Sequence, residues 1–500
     1  VDRYYDDGTV IKQQTKRNRT TNLITGRAGM DWYANKANTF TVSGFYSREG
    51  ILDRGDEPFF NQNLDTRLRL WQFLEDEVKT TITAYGNWRH QFAQPGRMLN
   101  FNFNYTFHRE DEQYYFTNIY PSYTGLDSFI LISDEHVGDA TLDYVQPLKH
   151  GRIEAGGKFR RREIPINMRF IPGLNSPLDS NAGGYAKYNE TVSALYLTYV
   201  YESNKFEVEA GLRGEYANIR YDVNPNHNTY KSDGYDYLQP FPNLRLTYKL
   251  NNRNRISFFF TRRVDRPNEV DIRIFPKYDD AEIIKVGNPS LQPQYVISLE
   301  AGYKTSWDKG YLYTAVYHKI IDGTITRIAS TTPGSYLIYN VFQNAGRSFN
   351  SGVEIVFAQK LNDHVRFDLN LLGYKNVIEA FSVVNLYPTP QLYNAQKQEI
   401  YSGNVKLNGY LNLPKGIEAQ LTAIYLAPDI IPQGRIGDRF SIDAGLKKSI
   451  QKGKGELFVN ATDIANTLRI KQEIQGDGFR FVSNDYYETQ VFRVGWNYKF

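Results

Sequence analysis

The stretch Met98-Leu99-Asn100-Phe101-Asn102-Phe103-Asn104-Tyr105-Thr106-Phe107-His108 decides the fold class. Leu99, Phe101, Phe103, Tyr105 and Phe107 fall on one side of a two-residue period, and Asn100, Asn102, Asn104, Thr106 and His108 fall on the other. That is the pattern of a β-strand between an apolar and a watery environment. One such strand also fits a half-buried strand of a soluble sandwich. Repetition carries the argument further. Phe206 to Tyr216, Val365 to Val377 and Phe440 to Ile450 alternate at the same amplitude, as does the terminal run Asp485 to Phe500. Together with the remaining candidates they predict roughly twenty strands of about ten residues, the length that crosses a bilayer at a tilt.

Composition agrees. The 500 residues include 39 Tyr, 30 Phe and 5 Trp, yet mean hydropathy is -0.54. A spanning helix needs about 20 consecutive apolar residues, and the best apolar runs, such as Ala194 to Leu197, are only a few residues long. A membrane barrel has no such need, because only alternate residues meet lipid. The expectation is an all-β, transmembrane, antiparallel up-and-down barrel of about 20–22 strands in a bacterial outer membrane. A polar loop is expected over residues 1–20 and the barrel over 21–500.

Connections give sidedness. From Gly151 onward short turns such as Glu202 to Lys205, Asn251 to Asn254 and Asn362 to His364 alternate with long links such as Asp222 to Gln239 and Asp265 to Pro293. Short periplasmic turns and long outer loops are the outer-membrane arrangement. Upstream, Leu64 to Leu74 and Thr80 to His90 read as two strands, and Ser47 to Asn63, with Gly50, Gly55 and Pro58, reads as a long connection. That connection falls on the side of the short Gln94 to Arg97 turn, so the strand count there stays open.

Net charge is only +4, and the one concentrated basic run is Lys16 to Arg19, so no nucleic-acid partner is expected. Absence of cysteine removes thiolate and disulfide chemistry. The seven histidines are scattered, without metal-ligand spacing, and no nucleophile stands beside a base, so neither an enzyme nor a bound cofactor is expected. The glycines between Gly151 and Gly157 precede no helix that could hold a phosphate.

Arg262-Arg263-Val264-Asp265-Arg266-Pro267, followed by Val286-Gly287-Asn288-Pro289-Ser290-Leu291-Gln292-Pro293-Gln294-Tyr295, resembles two segments of TonB-dependent receptors and the closely related outer-membrane β-barrel family. Gln294 departs from the glutamate usual there. Gly434-Arg435 with the following strand, Gly455 to Asn466 and the terminal strand look like the same family. The resemblance implies 22 strands, a plug domain inside them and an inner-membrane energy-coupling partner. No plug-like segment is visible here. A plug and first strands lying outside this sequence are preferred to a plugless relative.

The function expected is import of a bulky nutrient, whether siderophore, oligosaccharide or peptide. The alternative is a barrel that scaffolds an outer-membrane assembly or secretion complex, and a soluble all-β adhesin comes third. Candidate ligand-binding residues are Tyr230, Tyr235 and Tyr237, whose rings offer rigid amphipathic contact area, with the lumen charges Arg213 and Glu215. A solvated wall pairing with itself or with a plug is the preferred reading of the lumen charges, and girdle placement or loop self-packing explains the tyrosines about as well. Trp496, Tyr498 and Phe500 are expected, by resemblance, to form the signal read by the barrel assembly machinery. Outer-membrane lipid is an expected partner, and a surface lipoprotein or other outer-membrane subunits are further ones.

Overall fold

The computed structural model describes all residues except 177–180, 182, 279 and 500. Its strands are β1 Asp2–Tyr5, β2 Val10–Gln13, β3 Lys16–Tyr33, β4 Asn38–Phe60, β5 Arg67–Gln91, β6 Met98–Ile119, β7 Thr124–Leu148, β8 Gly151–Pro172, β9 Gly184–Glu202, β10 Phe206–Val223, β11 Asp233–Lys249 and β12 Asn254–Asp265. A short helix α1, Glu269–Ile272, and β13, Ile283–Val286, follow. Then come β14 Gln294–Trp307, β15 Gly310–Asp322, β16 Ile325–Thr331, β17 Ile338–Asn344, β18 Ser348–Lys360, β19 Val365–Ile378, β20 Phe381–Asn385, β21 Gln391–Ala395 and β22 Gln398–Leu413. The chain closes with β23 Ile417–Leu426, β24 Asp429–Ile431, β25 Gly434–Ile436, β26 Arg439–Ile450, β27 Gly455–Thr462, β28 Ile470–Gly476, β29 Phe479–Asp485 and β30 Val491–Tyr498.

The wall is an up-and-down antiparallel ladder from β3 through β12, then β14, β15, β18, β19, β22, β23, β26, β27 and β30. Several short turns share one device. Asn35, Asn251 and Asn362 each accept two backbone N–H bonds at their own turn, at 2.8–2.9 Å. A carboxamide that replaces backbone partners suits a two- or three-residue reversal.

Wall strands β4 to β8 run for 22 to 25 residues, more than twice a membrane crossing. Their turn-side halves carry apolar residues outward, such as Phe101, Phe103 and Leu142, and polar residues inward. We call this zone the belt. Above it the same strands form a crown in which the inward face turns aromatic: Trp71, Phe73, Tyr114, Phe116 and Phe129 are buried there. On the C-terminal side the hairpins β24–β25 and β28–β29 build the crown, and β24–β25 keep the register of β23–β26.

Three expectations change. Most of residues 1–20 are strand rather than loop, in β1, β2 and the start of β3. Gln13 pairs with Phe59 and Lys16 with Asp56 in a single register, so β2 is the crown end of β3. Ser47 to Asn63 is no connection, because β4 continues to Phe60. Its Gly55 gives room for a ring: a Cβ there would lie 2.1 Å from the Phe73 side chain across the strand pair. Likewise Glu75-Asp76-Glu77 interrupts nothing, since β5 is continuous. The change of apolar side between belt and crown had imitated two strands. With these corrections the sidedness that faltered before Gly151 alternates along the whole wall.

At the crown β1 lies between β2 and β29 and closes the ring. Lower down, no ladder joins β3 to β30 among the described residues. Both edges run from crown to turn side, so antiparallel closure there takes an odd number of strands.

Candidate functional site

The long segment 266–293 between β12 and β14 folds inside the crown rather than over it. Its start is a capping box: Asn268 accepts from Asp271 N–H at 3.0 Å, and the Asp271 carboxylate accepts from Asn268 N–H at 2.9 Å. That single helical turn aims Arg273 inward. Gly287 lies against Arg273, its N–H donating to the Arg273 carbonyl at 2.7 Å, where a Cβ would come within 2.4 Å of backbone. Asn288 N–H donates to the Asp271 carbonyl at 2.7 Å, and the Asn288 side chain accepts from Ser290. The two motifs singled out in the sequence are therefore halves of one folded unit. Gln294 also makes sense here: its amide donates to Asp265 at 3.2 Å while its carbonyl accepts from Ile325 N–H at 3.1 Å, a pairing open to no carboxylate.

Charge holds this unit to the wall. Glu75 and Glu77 of β5 and Glu110 and Glu112 of β6 face inward at the base of the crown. Arg273 meets Glu110 at 2.7 Å, Glu269 at 2.8 Å and Glu112 at 3.6 Å, and Lys277 meets Glu112 at 3.4 Å. Burial alone would favour loss of the Arg273 proton, but Glu269, Glu112 and Glu110 outweigh it and hold the guanidinium charged. Carboxylate oxygens of Glu77, Glu110 and Glu112 lie within 4.8 Å of one another, a spacing open to a cation. Arg273, Lys79 and Lys277 already supply the countercharge, so the cluster serves as the socket for the loop.

The expected ligand residues come together in a different role. Tyr235 and Tyr237 stand on β11, because the link shortens to residues 224–232. Tyr230 is 4% exposed and donates to the Gly287 carbonyl at 2.9 Å, while Tyr235 donates to the Leu291 carbonyl at 2.7 Å. Both clamp the second motif, Tyr230 buried and Tyr235 half-buried. Arg213 donates to Glu215 at 3.0 Å, and Arg266 donates to the Tyr237 hydroxyl at 3.1 Å and pairs with Glu215. Arg213 also borders a lumen cavity of 490 Å³ that Lys158 and Arg262 share. Trp496 projects outward from β30, 55% exposed, with Tyr498 5.7 Å away, and Phe500 lies outside the described residues.

The reading by residue type missed two features. His227, 1% exposed, accepts from the N–H groups of Thr229 and Tyr230 at 3.1 Å through Nδ1. Burial, with Lys231 adding to it, pushes its pKa down to about 4. Beside it opens a crown cavity of 430 Å³ walled by Trp71, Phe116, Tyr278, Tyr339 and Tyr387. These aromatics come from five distant parts of the chain, so no local pattern could announce them.

A model of the outer membrane protein beta-barrel family matches residues 90–498. The chain belongs to this family. Its place is the outer membrane, with the belt facing lipid. The ferric-catecholate import receptor Fiu from E. coli K12 superimposes with TM-score 0.59 at 12% identity, over 98% of this chain and 81% of that one. For the copper transporter OprC the values are 0.60, 9%, 100% and 82%. The siderophore receptor PiuA from Acinetobacter baumannii gives 0.58, 9%, 100% and 81%. At these identities the likeness is one of fold. No curated protein matches the sequence.

Proposed function

We propose that this barrel is the wall of an outer-membrane receptor that imports a bulky nutrient, with segment 266–293 as its gate. The observation that carries the reading is the segment's position: it folds inside the crown and is docked to the wall through Arg273 and Lys277, where releasing it would clear the way for a solute. Family membership and the fold shared with an import receptor, a copper transporter and a siderophore receptor support this. Work to displace the gate would come from an inner-membrane energy-coupling protein acting through a plug domain. The terminal aromatics Trp496, Tyr498 and Phe500 serve assembly. Deleting Phe500 should lower the yield of heat-modifiable barrel, and an unchanged yield counts against that role.

The natural chain stretch has no cysteine, so a single engineered pair reports cleanly. Lys277→Cys with Glu112→Cys, bridged by a cleavable thiol cross-linker, should abolish uptake in a nutrient panel and restore it on cleavage. Uptake that continues through the bridged protein removes the gate. A deletion strain with unchanged uptake of every nutrient class removes the import reading.

A further inference from the structure

We propose that the hairpin β1–β2 is a clasp: it locks segment 266–293 and the hairpin β16–β17 together as one inner body, which swings out only after the clasp lets go. The inference rests on the reading of segment 266–293 as a gate and adds how that gate is held shut. The gate does not stand alone inside the crown. Its strand β13 pairs in parallel with β17, from Ile283 with Ile338 to Val286 with Val341, and β17 pairs with β16. Further bonds repeat the join: the Ile338 N–H donates to the Glu282 carbonyl at 2.8 Å, and the Asn288 amide donates to the Phe342 carbonyl at 3.1 Å. Two loops that leave the wall at different points therefore share one small sheet.

The hairpin β1–β2 grips both loops. Arg3 is fully buried and meets Asp280 at 3.3 Å and Glu282 at 3.1 Å. Gln13 of β2 donates from one amide nitrogen to Asp280 at 3.1 Å and to Glu57 of β4 at 2.8 Å. Arg69 of β5 completes this outer anchor at 2.8 Å from Glu282, and Arg17 pairs with Glu57 at 3.0 Å. On the other loop Tyr5 donates to the Tyr336 carbonyl at 2.7 Å, and the Tyr336 hydroxyl donates to Asp7 at 3.0 Å. The polarity reverses that of the socket below. There segment 266–293 brings cations to wall carboxylates, and here it brings carboxylates to wall cations. Removing one partner from such a buried set is strongly destabilising, so each anchor by itself resists opening.

The clasp is lightly held. It joins the wall through the short ladders of β1 with β29 and of β2 with β4. The opposite edge of the inner sheet is tied by neutral amides: Gln433 bonds both the N–H and the carbonyl of Ala329, and Asn385 donates to the Ile328 carbonyl. Charge therefore closes one edge of the body, and the amide-bound edge is its hinge.

The test uses the full chain in nanodiscs and reads maleimide labelling at two single-cysteine reporters, Ile284→Cys on β13 and Val341→Cys on β17. Both positions are buried and lie on the same face of the inner sheet. Arg3→Met should raise both labelling rates about tenfold or more, and to the same extent, while the barrel stays heat-modifiable. Asp280→Asn combined with Glu282→Gln neutralises the gate's half of the anchor without altering the clasp and should act alike. That pair decides the matter if Arg3→Met does not fold. Rates that stay unchanged, rates that rise at one reporter alone, or loss of heat-modifiability in both variants overturns the proposal. Joint exposure in a protein that supports no uptake sinks the import reading and leaves the clasp standing. Uptake that the Lys277→Cys and Glu112→Cys bridge blocks, with labelling indifferent to both variants, does the reverse.

Discussion

Belt and crown are built from the same strands and obey opposite rules. Along β6 the outward row begins Leu99, Phe101, Phe103, Tyr105 and Phe107, then becomes Arg109, Asp111 and Gln113. The inward row begins Asn100, Asn102, Asn104 and Thr106, then becomes Tyr114 and Phe116, 0% and 5% exposed. The pleat never slips, so what changes is the solvent. In the belt the outer side meets lipid and the inner side water. In the crown water lies outside, and the loops that fold inside provide an apolar interior. Each fully buried aromatic or aliphatic side chain there contributes about 1.5–3 kcal/mol, so the crown holds together as a soluble domain does.

The sharpest way to separate the zones is to remove the charge that docks the gate. Arg273→Ala leaves Glu110, Glu112 and Glu269 facing one another without their buried counterion. Losing one partner of such a set costs about 3–5 kcal/mol. The expected outcome is local: protease nicks segment 266–293 while the belt keeps its heat-modifiable mobility. Joint loss of both would break the comparison and make the barrel one cooperative unit.

A second substitution pair works on the outer face. Leu142→Arg places a charge in the outward row of the belt and should destabilise the barrel in lipid by about 2–4 kcal/mol in a urea titration. Tyr115→Arg lies in an outward row too, but at the crown and 49% exposed, and should change stability by less than about 0.5 kcal/mol. Equal costs would place Tyr115 in lipid and move the upper edge of the belt.

The belt was legible because its rule is local. Asn100 to Phe107 announces itself through period two alone, and the short Asn-led turns follow from side-chain chemistry. The crown was not. Reading one apolar side per strand, a sequence argument meets the reversal near Glu75 and infers a turn, and reads Gly55 and Pro58 as a link. The motifs at Arg262 to Pro267 and Val286 to Tyr295 were found, but their mutual docking depends on Gly287 meeting Arg273 across the loop. Tyr230 and Tyr235 were noticed for their type. Their carbonyl partners, Gly287 and Leu291, lie more than fifty residues away, so a clamp could not be told from a ligand face.

Acid offers a gentler probe of the crown alone. His227 Nδ1 accepts two backbone bonds only while unprotonated, and its pKa is pushed down to about 4 from the usual 6.5. The undocked loop takes up a proton below about pH 6.5, whereas the docked loop resists until about pH 4. Docking is therefore complete at neutral pH and weakens as pH falls through that window. The loss reaches about 1 kcal/mol by about pH 5.5. Protease sensitivity of residues 224–232 should rise over this range, and His227→Gln should flatten the profile. A flat profile in the unaltered protein would show that the ring exchanges protons freely with water.

The smallest effect tests the inner side of the belt. Thr83 and Thr106 share a hydrogen bond at 3.2 Å across β5 and β6, on the lumen face. If water fills the lumen at that level, it replaces the lost bond, and Thr83→Val should cost less than about 0.5 kcal/mol. If the crown's dry interior extends so far down, the Thr106 hydroxyl keeps only the long bond it accepts from Asn104 at 3.4 Å, its own proton loses its acceptor, and the cost rises to about 1–3 kcal/mol. One urea titration thus locates the floor of the crown. A small cost sets it above Thr83, near the acidic socket where Arg273 docks, with the reversal of solvent falling where the outward row turns from Phe107 to Arg109.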